Sequence, residues 1–240
     1  MLDFPRIDEE IAEIAPDFRA ISILVDAQDS ARGAMARDVL GEACDFARAG
    51  GAAWGEAHLA NWAEAYVRFG AKPNRTPCSA HALKKRVEKD GRIPSINPIV
   101  DLYNAVSLRF AIPIGGENFD AYVGKPRLTV AVGTESFHTV LNGETVVENP
   151  SKGEVIWRDD LGATCRRWNW RQGTRTRLER VGGRMWFILE SLAAMPEEAL
   201  EQAANMLVSG LRELAPGCKV YKQEITPLKP VAASVDRRVG

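Results

Sequence analysis

The chain has 240 residues, enough for one large domain or two small ones, with 45% hydrophobic and 26% charged side chains and a mean hydropathy of −0.20. Its 31 basic and 32 acidic residues leave a formal net charge of −1, which excludes a disordered or fibrous chain and gives no global reason to expect nucleic acid. The acidic opening lacks the basic start and apolar run of a signal peptide, no apolar stretch approaches the ~18 residues of a membrane span, and Cys44, Cys78, Cys165 and Cys218 lie without a CxxC pair. A cytoplasmic protein with free thiols and no membrane partner is the expectation.

Ile7 to Ile14 is amphipathic and ends at Pro16; Phe18 to Asp26 is β-branched, partly alternating, and reads as an early strand. Ser30 is a candidate N-cap for a helix through Arg48, stopped by Gly50-Gly51. A second helix, about Glu56 to Phe69, puts Leu59, Trp62, Ala63 and Tyr66 on one face, and Ser79 can cap a basic helix from Ala80 to about Lys89. Asn97-Pro98 pairs an N-cap with proline at the first helical position, opening a helix to about Phe110 with Ile99, Tyr103, Val106 and Phe110 toward the core.

Past Pro113 the pattern changes to short strands: 128–132, 137–141, 154–157, 164–170 and 184–190. Glycine-bearing turns at Gly115-Gly116, Asn142-Gly143, Gly162, Gly173 and Gly182-Gly183 separate them, and Asn142-Gly143 is a strong hairpin signal. Pro196-Glu197-Glu198 starts a closing helix with Leu200, Ala203, Ala204, Leu207, Leu211 and Leu214 in register, followed by a strand over 219–226. Helices first, antiparallel strands next and a helix last predict one α+β domain over 1–228: a mainly helical part (1–70), a core (71–193), and a closing helix and strand (194–228), with a loose tail over 229–240.

The near-zero net charge hides an asymmetry. Residues 1–65 carry a local net of −8, residues 66–92 a net of +6, and residues 166–180 a net of +5. Each basic block is either anion-binding ground or a solvated face that complements the acidic third.

Several chemistries are absent. Gly124-Lys125 has Phe119 where a P-loop needs glycine and is followed by Pro126; no GxGxxG follows a strand, and there is no GxSxG. His58, His81 and His138 are dispersed, and Cys78 with His81, three apart, reads as structural or surface. No metal and no cofactor is expected.

Two stretches stand out: 94–107, with Asn97, Asp101 and Asn104, and Cys165-Arg166-Arg167-Trp168-Asn169-Trp170-Arg171-Gln172-Gly173. Read as a strand, the second would point Arg166, Trp168 and Trp170 to one side and Arg167, Asn169 and Arg171 to the other. Aromatic faces with guanidinium forks suit a splayed single-stranded RNA end. Equally, Trp168 and Trp170 can be core aromatics, the arginines can pair with the acidic N-terminal region, and Asp101 and Asn104 can fix loops.

The pattern Ile96-Asn97, Val100-Asp101, Asn104, Pro113, Gly115-Gly116-Glu117-Asn118-Phe119-Asp120, Gly153-Glu154-Val155, the Arg-Trp-Asn-Trp-Arg segment and Ile188-Leu189-Glu190-Ser191 resembles the tRNA-editing domain of the phenylalanyl-tRNA synthetase beta chain. That domain is built from the third and fourth B modules, and free-standing proteins made of it are closer still; the resemblance covers roughly residues 75–192. It implies a layered α+β sandwich with flanking helices, and hydrolysis in trans of mischarged aminoacyl-tRNA. By the same resemblance Glu190 matches a glutamate of the editing pocket, and the turn at Gly173 corresponds to its glycine-rich wall. Where the synthetase has a histidine two residues after the proline matching Pro113, this chain has Gly115.

Hydrolysing an aminoacyl ester requires a positioned water, a group for the ammonium and donors for the oxyanion. The expected catalytic set is Glu190, Asn169, Gly115 and Gly116. Arg166, Arg167, Trp168, Trp170, Arg171, Gly173, Asn97, Asp101, Asn104 and Glu117 are expected to hold the 3′ end of an aminoacylated tRNA, with no DNA partner; oligomeric state stays open. Glu190 alternatively pairs with a nearby arginine at a strand end. The rival functions are a non-catalytic tRNA or amino-acid binding module and a hydrolase of small aminoacyl esters or amides.

Overall fold

Residues 19–27 are apolar on both faces of a strand, so both faces need cover. The structure, a computed structural model that describes residues 5–27 and 38–227, supplies it with helices on one side and a second sheet on the other. In chain order the elements are β1 (Arg6–Ile7), α1 (Glu10–Ile14), β2 (Arg19–Ala27), α2 (Val39–Arg48), α3 (Gly55–Arg68), α4 (Ser79–Asp90), α5 (Pro98–Phe110) and β3 (Ile114–Asn118). There follow β4 (Arg127–Val130), β5 (Phe137–Leu141), β6 (Glu144–Glu148), β7 (Val155–Arg158), β8 (Ala163–Arg166), β9 (Arg171–Gln172), β10 (Gly183–Ser191), α6 (Glu197–Leu214) and β11 (Lys219–Ile225).

An antiparallel four-stranded sheet, ordered β11-β2-β10-β3, forms the middle layer. Ile21, Ile23 and Val25 of β2 and Met185, Phe187 and Leu189 of β10 pack with Leu102 and Val106 of α5 and Leu207 and Leu211 of α6. The alternate residues, Ala20, Leu24, Trp186 and Ile188, meet Leu128, Val155 and Trp157 of the second sheet and Trp168 of its β8–β9 turn, with Leu59, Trp62 and Tyr66 of α3 closing that core. The second sheet runs β1-β4-β7-β8-β5-β6, with β9 on β8 and parallel pairs at β1–β4 and β5–β8. The layered α+β class is therefore as expected, and among the described residues no helix is long and apolar enough to cross a membrane.

Some local expectations change. The Asn97 Oδ1 caps α5 by accepting from the Ile99 and Val100 N–H groups at 3.2 and 3.0 Å, so this side chain is spent on the helix rather than on a ligand. Ser79 is the first residue of α4 rather than its cap; Cys78 takes that place without a side-chain bond. Ser30 and the tail over 229–240 lie outside the described residues, and α2 is capped by Asp38, which accepts from the Gly41 N–H at 2.8 Å. Gly115-Gly116 is not a turn but the middle of β3, paired with Ile188 and Phe187. Glycine is needed at 116 because a Cβ would stand 2.8 Å from Tyr103 Cε1 and 3.1 Å from Phe187 Cε1.

The stretch 164–170 is not one strand. It breaks after Arg166 because Arg167 and Trp168 both adopt left-handed φ values, 45° and 64°, and the chain returns as β9. Strict alternation therefore fails: Trp168 and Asn169 both turn inward.

Replacing Asn97 by alanine should lower stability by about 1 kcal/mol through the lost cap, read as a shifted urea midpoint with an unchanged slope.

Candidate functional site

The alternation of β10 that sends Phe187 and Leu189 to the helices sends Glu190 between the sheets, where it is fully buried. Among the described residues no arginine bonds it. Instead its Oε1 accepts from Trp157 Nε1 at 3.0 Å and Trp168 Nε1 at 2.9 Å, and its Oε2 accepts from Asn169 Nδ2 at 2.9 Å. Burying a charge costs several kcal/mol, and three N–H donors offset only part of that. Burial accordingly pushes the carboxyl up to about 7 against the pull of those donors.

Asn169 is itself held, its Oδ1 accepting from Tyr66 Oη at 2.8 Å. Glu117, two residues past Gly115 and on the same face of β3, is a second buried carboxyl; it accepts from the Tyr122 hydroxyl, and burial raises it to about 7 as well. Both sit where a proton can be exchanged near neutral pH.

A cavity of about 310 Å³ opens beside the β3 edge, between α4, α5 and the β8–β9 turn. It brings together Glu190, Asn169, Gly115, Gly116, Glu117, Asn104, Trp168 and Trp170 of the expected residues. It also takes in Ser79, Arg86, Tyr103 and Gln172, which sequence reasoning did not assign. The Glu190 N–H bonds Pro113 O, which sets the phase of the β3–β10 ladder: residue 115 faces β10 and residue 116 the opposite edge, which Thr176-Arg177 bridges at Glu117 and Asn118. There the Gly116 carbonyl accepts from Gln172 Nε2 at 2.8 Å. Of the glycines proposed as oxyanion donors, Gly116 therefore keeps that geometry. The Gly115 N–H is turned into the sheet, and the Gly173 N–H is taken by Thr164 O at 2.7 Å. Ser79 Oγ, buried in the wall, has no hydrogen-bond partner among the described residues.

The remaining expected ligands lie elsewhere. Arg166 is 8% exposed, bidentate to Glu154 at 3.0 and 2.9 Å and bonded to Glu148 at 2.8 Å, so it holds strands together and offers nothing to a phosphate. Those partners sit on the neighbouring sheet segments, not in the acidic N-terminal third. Arg171 donates to Val140 O, and Arg167 stacks over Trp170 at 4.4 Å. Asp101 accepts from Ser95 Oγ and the Ile96 N–H and fixes its own loop. Trp168 has no exposed surface, which removes it as a base-stacking platform; Trp170 remains half-buried.

Cysteine chemistry is disfavoured, since burial drives the Cys165 thiol far up and Cys78 to about 12. Burial lowers His58 to about 4; its Nε2 accepts from Trp62 Nε1 and the Leu192 N–H, and its Nδ1 meets Ala111 O, so it is a neutral tie between α3, α5 and β10. Among the described residues no group of three His, Cys, Asp or Glu could hold a metal ion.

The folded state holds the Glu190 proton to higher pH than an unfolded chain, whose carboxyl titrates near 4.5. The stability of wild type relative to Glu190→Gln should be greatest below about 4.5, fall as pH rises toward about 7 and level off above, a profile that urea midpoints across that range would check.

No curated protein sequence matches the chain. Among solved structures, an N-terminal fragment of the phenylalanyl-tRNA synthetase beta subunit from Pyrococcus horikoshii is similar at 12% identity with a TM-score of 0.44, over 93% of this chain and 54% of that one. The chain thus spans about half the length of that structure. A family model, the B3/4 domain, matches residues 61–215. That stretch runs from α3 through α6 and takes in the whole cavity, and the chain belongs to the B3/4 domain family found in the phenylalanyl-tRNA synthetase beta chain.

Proposed function

We propose that the protein binds the aminoacylated 3′ end of tRNA and hydrolyses misacylated esters in trans. The observation that carries this reading is the meeting of two buried carboxyls, each raised to about 7, with the Gly116 strand edge in one cavity of about 310 Å³. Membership of a synthetase-related family supports tRNA as the source of the ester.

An aminoacyl ester is activated, so the protein has to place water, hold the ammonium and stabilise an oxyanion. In its ionised form Glu190 accepts a proton from the attacking water; Trp157, Trp168 and Asn169 fix its orientation. Glu117 offers the second negative group, suited to the substrate ammonium. The Gly116 N–H, at the edge where Gln172 also sits, is the donor for the oxyanion. A vicinal ribose hydroxyl supplies part of the proton transfer for which Gly115 provides no imidazole: it passes a proton to the departing ribose oxygen as the ester C–O bond breaks, and the proton that Glu190 took from water restores it. The apolar wall, including Tyr103, Trp157 and Ile188, suits the amino-acid side chain.

A second reading, a non-catalytic binding module, is favoured by one observation: both oxygens of Glu190 are already engaged, as in a group that positions rather than reacts.

A deacylation screen across mischarged tRNAs separates the two. Hydrolysis of at least one ester, reduced about 10²–10⁴-fold in Glu190→Gln, is the expected result. Undiminished tRNA binding with no hydrolysis would leave the binding module, and equal rates on free aminoacyl esters would point to a small-molecule hydrolase.

A further inference from the structure

The Arg167–Trp170 turn that supplies Trp168, Asn169 and Trp170 to the cavity also borders a second concavity, of about 440 Å³, whose character is different. Four cations from three separate segments line it: Lys72 and Arg75 from the α3–α4 loop, Lys152 from the β6–β7 connection, and Arg167 from the turn itself. Its one carboxylate, Glu154, is already spent, because it accepts from the Arg166 guanidinium through both oxygens and from the Arg167 N–H at 3.0 Å, and it also pairs with the Arg167 guanidinium at 3.9 Å. Among the described residues no ion pair engages Lys72, Arg75 or Lys152, whereas Lys84 pairs with Glu56 and Glu88, Arg86 with Asp90, and Arg92 with Asp45. The first basic block is thus divided: Lys84 and Arg86 of α4 and Arg92 just after it are paired, Lys85 and Lys89 stand exposed on α4, and Lys72 and Arg75 of the loop keep their charge in a groove.

Two consecutive residues with left-handed φ cost on the order of 1–3 kcal/mol each and persist only where the surroundings impose them. Here that strain turns Arg167 toward the groove and Trp168 toward Glu190, so one short turn serves both openings. Half-buried Phe69 adds an aromatic wall to the groove. Spaced cations beside an aromatic face suit a sugar-phosphate chain with unpaired bases, a ligand that needs both. We infer that this groove is the track for the backbone of a single-stranded RNA 3′ end whose terminal residue enters the neighbouring cavity, an inference that rests on the tRNA-end reading of that cavity.

The test titrates the full chain with a fluorescently labelled short single-stranded RNA over a range of salt. Wild type is compared with Lys72→Ala/Arg75→Ala/Lys152→Ala and with Lys89→Ala, an exposed α4 lysine outside the groove. Each single-strand phosphate contact contributes about 0.7 to the slope of log K against log salt. The triple variant should therefore show a slope flatter by about 2 and at least a tenfold weaker affinity at low salt, with Lys89→Ala matching wild type. Circular dichroism reports the fold, and single reversals Lys72→Glu and Lys152→Glu, each flattening the slope, replace the triple variant if it does not fold. Unchanged affinity and slope in the groove variants, or no salt-dependent RNA binding by wild type, would overturn the inference. So would displacement of the RNA by inorganic phosphate at an equal phosphate concentration, which marks a small-anion site. Hydrolysis is not read: an inactive protein that binds RNA through the groove keeps this inference and loses the catalytic reading, and an active deacylase indifferent to these substitutions does the reverse.

Discussion

A carboxyl group buried between two sheets, with no cation paired to it among the described residues, sets the terms for everything around it. Glu190 is tolerable there only because two indole N–H groups and one amide N–H are brought to its two oxygens. Two of those donors, Trp168 and Asn169, lie in the turn between β8 and β9, and the third, Trp157, lies on β7. The carboxyl therefore ties the four-stranded sheet to the larger one and dictates where the turn must sit. The left-handed backbone at Arg167 and Trp168 is the local cost of delivering those donors, offset by the bond from the Trp168 N–H to Val155 O and by Trp168 packing against Phe18 and Trp62 with ring centroids 5.2 Å away. Raised proton affinity follows from the same burial, so the group that organises the interior is also the one suited to exchange a proton.

The basic residues divide along the same physical line. Where a guanidinium lies inside the sheet, as Arg166 does beside Glu154 and Glu148, desolvation makes pairing obligatory and its charge is unavailable. Arg175, bonded twice to buried Asp159, is a second case. Where the cation stands on a loop, as Lys72 and Arg75 do, water can solvate it and no partner is required. Local charge totals alone do not distinguish these situations, which is why the block over 166–180 looks like uniform anion-binding ground although Arg166 and Arg175 are internal scaffolding and Arg177 and Arg180 are exposed.

Much of the fold was legible. β-Branched residues marked β2, Asn97-Pro98 marked the start of α5, Asn142-Gly143 marked the β5–β6 hairpin, and the leucine spacing marked α6, because each is a local preference recorded within a few residues. Gly115-Gly116 misled in the usual direction of glycine, toward a turn, since nothing nearby in sequence reveals that Tyr103 and Phe187 crowd the strand. The candidate site was half legible. Glu190, Asn169 and Glu117 came from the family pattern, whereas Ser79, Arg86, Tyr103 and Gln172 join the cavity only through the docking of α4, α5 and β9.

What the sequence determined by itself was class and inventory: an α+β chain, an absence of nucleotide-binding and nucleophile-elbow motifs, a family pattern, and two carboxyls and an aromatic-arginine segment to be accounted for. Tertiary structure alone decided which of those groups lost their water. Burial took Arg166 out of reach of a phosphate and Trp168 out of base stacking, pushed the carboxyls of two ordinary glutamates up to about 7, and left the loop cations of residues 72–75 facing a groove. Desolvation depends on neighbours that are distant in sequence, and so it is the property that a residue's own identity and local pattern do not record.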